Sequence, residues 1–142
     1  MTDATVTTTS ATAAATTDTF PNADLTAVDK LIDRYIEVWN ERGATRRREL
    51  IASTWAEDAT YCDPALVGEG RDGIDTMTAG FQAAYPGATF QRAGTIDLHH
   101  DRVRFGWHLR ASDGQVIAIG SDCGVIADGN VFASITEFFE QA

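Results

Sequence analysis

Basic side chains are scarce in this sequence: eleven Lys and Arg stand against twenty-one Asp and Glu, a formal net charge of −10. A nucleic-acid binder carries a basic footprint, and this chain carries the reverse. Its one basic run, Arg46-Arg47-Arg48, opens a predicted helix and reads as a solvated face, since three charges without a wider cluster make no patch. Cysteine is scarcer still. Cys62 and Cys123 form neither a C-x-x-C pair nor a metal-ligand spacing. Two cysteines do not mark a stapled secreted domain, so both are expected to be free thiols in a reducing compartment, which places the protein in the cytoplasm. No apolar run approaches the roughly 20 residues that cross a bilayer, and the N-terminus lacks the basic and apolar regions of a secretory signal. Residues 1–19, with nine Thr and five Ala, hold almost nothing that packs. Such a segment cannot offset the entropy of ordering itself, so a disordered Thr/Ala-rich tail is expected there. The tail contains only two acids, Asp3 and Asp18. The acidity therefore belongs to residues 20–142, a length suited to one domain.

Within that stretch, apolar residues first recur at helical spacing. Leu25, Val28, Ile32, Tyr35 and Trp39 form one stripe after a possible cap at Asn22 or Asp24, which predicts a helix up to Gly43. A second helix is predicted over 44–57, with Leu50, Ile51, Thr54 and Trp55 inward. Ala59 to Pro64 reads as a short strand closed by proline. Gly68, Gly70 and Gly73 mark a loop, and a third helix is predicted over 72–84, with Ile74, Met77 and Phe81 on one face. The period then changes to two. Strands are predicted over 88–98, 101–111, 115–127 and 131–139. Turns at Ser112-Asp113-Gly114 and Asp128-Gly129-Asn130 join the last three. Helices followed by an antiparallel meander predict an α+β fold.

Three residues stand out as candidates for chemistry. Asp122 shares a strand face with Ala118, Gly120 and Gly124; small neighbours leave space in front of a carboxyl, as a pocket floor requires. The alternative is an exposed aspartate beside a bulge. Asp63 precedes Pro64 and a glycine-bearing loop, where it could equally be a turn starter. Tyr35 lies on the apolar stripe of the first helix, where a buried hydroxyl needs a partner. In the second predicted meander strand, Phe105, Trp107 and Leu109 alternate with Arg104, His108 and Arg110. His108 is therefore expected on the arginine face, away from a pocket. His99 and His100 adjoin a turn and read as solvated, because a metal site needs three or four ligands.

The order of three stretches, Arg34-Tyr35-Ile36-Glu37-Val38-Trp39-Asn40, then Trp55 through Tyr61-Cys62-Asp63-Pro64, then Gly70-Arg71-Asp72-Gly73-Ile74, followed by the meander, resembles the nuclear transport factor 2-like superfamily. That superfamily includes ketosteroid isomerase and SnoaL-like polyketide cyclases, and the resemblance spans residues 25–139. It implies a cone-shaped, curved mixed or antiparallel sheet wrapped by three N-terminal helices around one apolar pocket. The fold hosts enzymes, binders and scaffolds alike. By resemblance to ketosteroid isomerase, whose logic is well described, Tyr35 takes the place of an oxyanion-holding tyrosine, Asp63 of the general base, and Asp122 of a protonated aspartic acid. The pocket wall is then expected to include Trp39, Trp55, Phe81, Phe105, Trp107 and Leu109.

The activity implied is proton transfer next to a carbonyl, as in a steroid Δ-isomerase, on a bulky apolar substrate such as a steroid or polyketide, with no cofactor and no metal. Resemblance to SnoaL-like cyclases implies instead that an ionised Asp122 is the base for aldol ring closure. A non-catalytic binding domain would use the same pocket. Limonene-epoxide-hydrolase-like members use an Asp-Arg-Asp arrangement; Arg92, Arg104 or Asp122 could supply parts of one, but the sequence itself sets no Arg between two acids. A homodimer across the outer sheet face near Ile117, Ile119 and Val125 is expected, with no nucleic-acid or membrane partner.

Overall fold

Asp24 opens the first helix. Its backbone is extended and its carboxyl accepts the Ala27 amide at 3.1 Å, which satisfies one of the free donors of the first turn. The computed structural model describes residues 23–140, so the expected tail at 1–19 lies outside the described residues. Helix α1 (Leu25–Asn40) buries Val28, Leu31, Ile32, Tyr35, Ile36, Val38 and Trp39, an apolar stripe at i, i+3 and i+4. Helix α2 (Ala44–Thr54) follows. Strands β1 (Trp55–Cys62) and β2 (Val67–Glu69) precede helix α3 (Gly70–Ala84), and β3 (Thr89–His99), β4 (Arg102–Arg110), β5 (Val116–Ala127) and β6 (Val131–Phe139) complete the chain.

The six strands form one mixed sheet in the order β2-β1-β6-β5-β4-β3. Only the β1–β6 pair is parallel; β3 to β6 are an antiparallel meander. The architecture is α+β, a curved, unclosed sheet with the three helices against one face. That inner face carries Val103, Phe105, Trp107 and Leu109 from β4 and Phe132 and Ile135 from β6, all buried. Among the described residues no helix is long and apolar enough to cross a membrane.

Four local expectations change. The second helix stops at Thr54 rather than Glu57, because Trp55 is already extended and pairs with Phe132 in the sheet. Trp55 is therefore a strand residue, although still buried. The loop expected at Gly68 contains β2, whose residues pair antiparallel with β1. The arginine run is not a uniformly solvated face: Arg47 is buried. Its guanidinium donates to Asp75 at 2.7 Å and to Gln82 at 3.2 Å, tying α2 to α3, while Arg46 and Arg48 stay exposed. Lastly, Ile117 leaves the outer face. Leu109 pairs with Ala118 and Arg110 with Val116, so Ile117 is the extra residue of a bulge.

The two thiols are exposed and unbridged. Cys62 and Cys123 each pair with Thr136, from opposite sides of β6. Two strand spacings put their Cα atoms about 9–10 Å apart, beyond the roughly 7 Å a disulfide tolerates.

Candidate functional site

Between the inner sheet face and α3 lies a cavity of about 470 Å³. Trp39 from α1, Met77 and Phe81 from α3, Phe90 from β3 and Trp107 from β4 form its aromatic and apolar wall. Tyr85, Ile117 and Phe139, all about half exposed, stand at its edge. Two carboxyls line it, Asp63 and Glu137. A cavity of this size and lining suits one small apolar molecule held by a few polar groups.

Of the residues expected at the site, Asp63, Trp39, Phe81, Trp107 and Leu109 line this cavity. Tyr35, Asp122, Trp55 and Phe105 do not. Tyr35 packs at 5.5–5.7 Å between ring centroids against Trp55, Phe105 and Phe132, in edge-on and tilted geometries that aromatic quadrupoles favour. Those four rings are solid core behind the cavity. His108 is absent from the lining.

Asp122 is wholly buried on β5. Its Oδ1 accepts the Trp107 indole N–H at 3.0 Å. The expectation of open space beside its small neighbours fails for the two glycines. A Cβ on Gly120 would lie 2.4 Å from the Trp107 ring, and one on Gly124 would lie 2.7 Å from the Phe132 ring. The glycines admit aromatic rings, and Gly120 is what lets Trp107 cross β5 and reach Asp122. The Tyr35 hydroxyl and Asp122 Oδ2 are both buried without a hydrogen-bond partner among the described residues. Burial and then the Asp122 charge raise the Tyr35 hydroxyl well above its ordinary value. Burial pushes Asp122 up to about 6, while Glu137, Tyr35 and Trp107 beside it hold it from rising further.

Asp63 is held by its own loop. Oδ1 accepts the Ala65 and Leu66 amides, both at 2.7 Å, and the Asp63 amide donates to the Leu66 carbonyl. Pro64 has no amide to offer, so this Asx turn forms with the next two donors. Oδ2 accepts the Tyr61 hydroxyl at 2.6 Å. Tyr61, one residue pair away on β1, is raised by burial and then by Glu137.

Glu137 was not anticipated. It is buried, lines the cavity, and sits directly opposite Asp122 in the β5–β6 register. Burial and then the Asp122 charge push it up to about 11. Two carboxyls side by side in a dry place cannot both ionise cheaply, so they behave as one pair that holds a proton. Asp63 and Glu137 thus line the cavity, and Tyr61, Asp122 and Tyr35 stand behind that wall, each within electrostatic reach of Glu137. Among the described residues no group of three or more His, Cys, Asp or Glu is arranged to hold a metal.

No family model matches the sequence, and no curated protein matches it. Solved structures do. A SnoaL-like family protein from Agrobacterium tumefaciens str. C58, described as a candidate isomerase, shares 33% identity over 82% of this chain and 100% of its own, with a TM-score of 0.79. A candidate ketosteroid isomerase from Kribbella flavida DSM 17836 shares the fold at 21% identity, over 82% of this chain and 79% of its own, with a TM-score of 0.61. A candidate SnoaL-like polyketide cyclase from Jannaschia sp. CCS1 does so at 16% identity, over 81% of this chain and 86% of its own, with a TM-score of 0.65. With a third of its residues shared along the full length of the Agrobacterium protein, in the α+β cone the sequence resembled, the chain belongs to the SnoaL-like family.

Proposed function

We propose that this chain is an enzyme that moves a proton next to a carbonyl in a neutral, flat, apolar substrate. One observation carries the reading: an aromatic cavity of about 470 Å³ is lined by two carboxyls, Asp63 and the buried Glu137, and Glu137 is paired with Asp122 behind the wall. Asp63 on the rim is the base that takes the proton. The buried acid pair donates a hydrogen bond to the carbonyl oxygen as it gains charge, the point at which such a donor acts most strongly. The net negative charge of the chain disfavours anionic substrates. The reaction needs neither metal nor cofactor in this reading, and the outer sheet face around Ile119 and Val125 pairs two copies in the cytoplasm.

The test is isomerisation of a β,γ-unsaturated ketosteroid. Wild type turns it over, and Asp63→Asn lowers kcat by about a hundredfold or more, the usual worth of a general base. No turnover by wild type, or an equally active variant, removes the isomerase reading. A second reading, aldol ring closure of a polyketide ester, rests on Asp122, which is pushed up only to about 6 but would have to act from behind the cavity wall. In that case Asp122→Asn abolishes ring closure and Asp63→Asn does not.

A further inference from the structure

Resting on the proton-transfer reading, one further assignment concerns which acid faces the substrate. The geometry points to Glu137, rather than Asp122, as the group that presents a proton to the cavity, with Asp122 behind it as a positioning carboxylate. Glu137 lines the cavity and Asp122 does not. Asp122 is committed elsewhere: its Oδ1 holds the Trp107 indole, and its Oδ2 is sealed from the surface. The two acids are direct cross-strand partners, which sets their side chains on one face within about 5.5 Å at Cβ.

The groups facing this pair are Tyr61 and Asp63 from the β1 side, Trp107 from β4 and Tyr35 from α1. None of them carries a positive charge. All eight ion pairs formed by the described residues lie elsewhere. With no cation to neutralise two buried carboxylates, one proton must stay on the pair. It stays on Glu137: the indole N–H and the Tyr35 hydroxyl stabilise charge on Asp122, whereas burial outweighs the one Tyr61 hydroxyl beside Glu137, so both acids are raised but Asp122 only to about 6 and Glu137 to about 11.

The step balances without any added reagent. Asp63 takes a proton from the carbon beside the carbonyl. The C–H electron pair forms the new C=C bond, and the carbonyl π pair moves onto oxygen. The Glu137 hydroxyl donates its hydrogen bond to that oxygen and keeps its proton. In a β,γ-unsaturated substrate the oxygen pair then re-forms the carbonyl, the enolate C=C pair becomes the α,β double bond, and the former β,γ π pair takes the proton from Asp63 at the γ carbon, which restores the enzyme.

Two measurements on the full chain test the assignment. Carboxyl ¹³C resonances of protein labelled at glutamate Cδ or aspartate Cγ are followed from about pH 5 to about pH 9, a range that brackets ordinary carboxyls from above. One glutamate signal, missing from Glu137→Gln, stays in its protonated position through neutral pH. If instead an aspartate signal missing from Asp122→Asn stays protonated while every glutamate is ionised, the assignment is overturned. This readout needs no substrate, so it survives or fails separately from the proton-transfer reading. The second measurement is turnover. Glu137→Leu removes the donor and lowers kcat about a hundredfold; Glu137→Gln keeps an N–H donor, loses less, and loses the alkaline limb of the kcat/KM profile. Unchanged kcat in both variants of an active wild type overturns the assignment. A persistent protonated Glu137 in a protein that turns over no carbonyl compound supports it and sinks the proton-transfer reading alone.

Discussion

The inner face of the sheet has a filled half and an open half, and both are organised by a glycine on β5. At Gly124 the space above the backbone is taken by Phe132 and Ile135, and Tyr35, Trp55 and Phe105 close over them. At Gly120 the space is taken by Trp107, but beyond that ring the wall opens into the cavity. The difference is chemical as well as steric. Phenylalanine only fills its half, whereas the edge of the Trp107 indole carries an N–H that reaches Asp122. Asp122 and Glu137 lie at the seam, the first on the filled side and the second on the open side. A site that must bind a molecule and hold an unusual proton needs both: rigid packing to exclude water from the acids, and a void beside them.

Truncation should separate the two halves most strongly. Phe132 is fully buried, and Phe132→Ala is expected to cost about 3–5 kcal/mol of unfolding free energy. Phe139→Ala removes a ring that is about half exposed at the cavity edge and is expected to cost less than about 1 kcal/mol. Urea unfolding of both variants checks this; equal losses would mean that the open half is as tightly packed as the filled one.

The next effect lies at the seam itself. Gly120→Ala places a Cβ against both the Trp107 ring and the Phe138 carbonyl, so the indole must shift. The expected cost is about 1–3 kcal/mol, together with loss of the bond to Asp122. Trp107→Phe tests the hydrogen bond without that clash. Because the indole N–H is among the groups that hold Asp122 down, its titration should move above about 6 in this variant. A titration that stays in place would show that the indole packs against Asp122 without stabilising its charge.

The apolar residues of both halves were largely legible in the sequence, and the seam was not. Helical spacing alone places Val28, Ile32, Tyr35 and Trp39 inward, and alternation alone places Phe105, Trp107 and Leu109 on one face. Asp122 was legible by the same alternation. Its partner was hidden by a bulge. Ala127 pairs with Val131, and strict continuation from there would set Asp122 against Thr136. The register shifts by one between Val125 and Ile126, and a one-residue slip exchanges the two faces of a strand. That extra residue in β6 is why Phe132 and Glu137, five apart, are both buried. Burial of Arg47 could have been read: it precedes Leu50, Ile51 and Thr54 by three, four and seven residues, which puts it on the apolar stripe of α2. Trp55 could not, since a helix and a strand bury that position equally well.

The seam also makes stability depend on alkali. Asp122 and Glu137 both hold protons more tightly in the fold than in the unfolded chain, where they take ordinary values near 3.8 and 4.5. Between those values and the folded ones, the unfolded chain binds fewer protons. Stability is therefore fully present below about pH 4 and falls as pH rises, toward about 6 for Asp122 and about 11 for Glu137. Above pH 6 only Glu137 contributes, with a limiting slope of about 1.4 kcal/mol per pH unit. Glu137→Gln should flatten the profile between neutral pH and about 9. A slope that persists in that variant would place the proton elsewhere.

The smallest effect on stability should come from the edge of the open half, and there it should be uncoupled from function. Ile117 is half exposed and lines the cavity because the β5 bulge turns it away from the outer face. Ile117→Ser removes little buried surface, so unfolding free energy should change by no more than about 0.5 kcal/mol. A bound apolar molecule would cover that side chain, and covering an isoleucine is worth about 1.5–3 kcal/mol. Part of that loss should appear as a KM, or a Kd for a neutral steroid ketone, weakened by about tenfold, with kcat unchanged because the residue carries no group that exchanges a proton. If kcat falls with KM unmoved, the bulge is shaping the seam rather than the mouth. The open half would then be catalytic wall out to its rim.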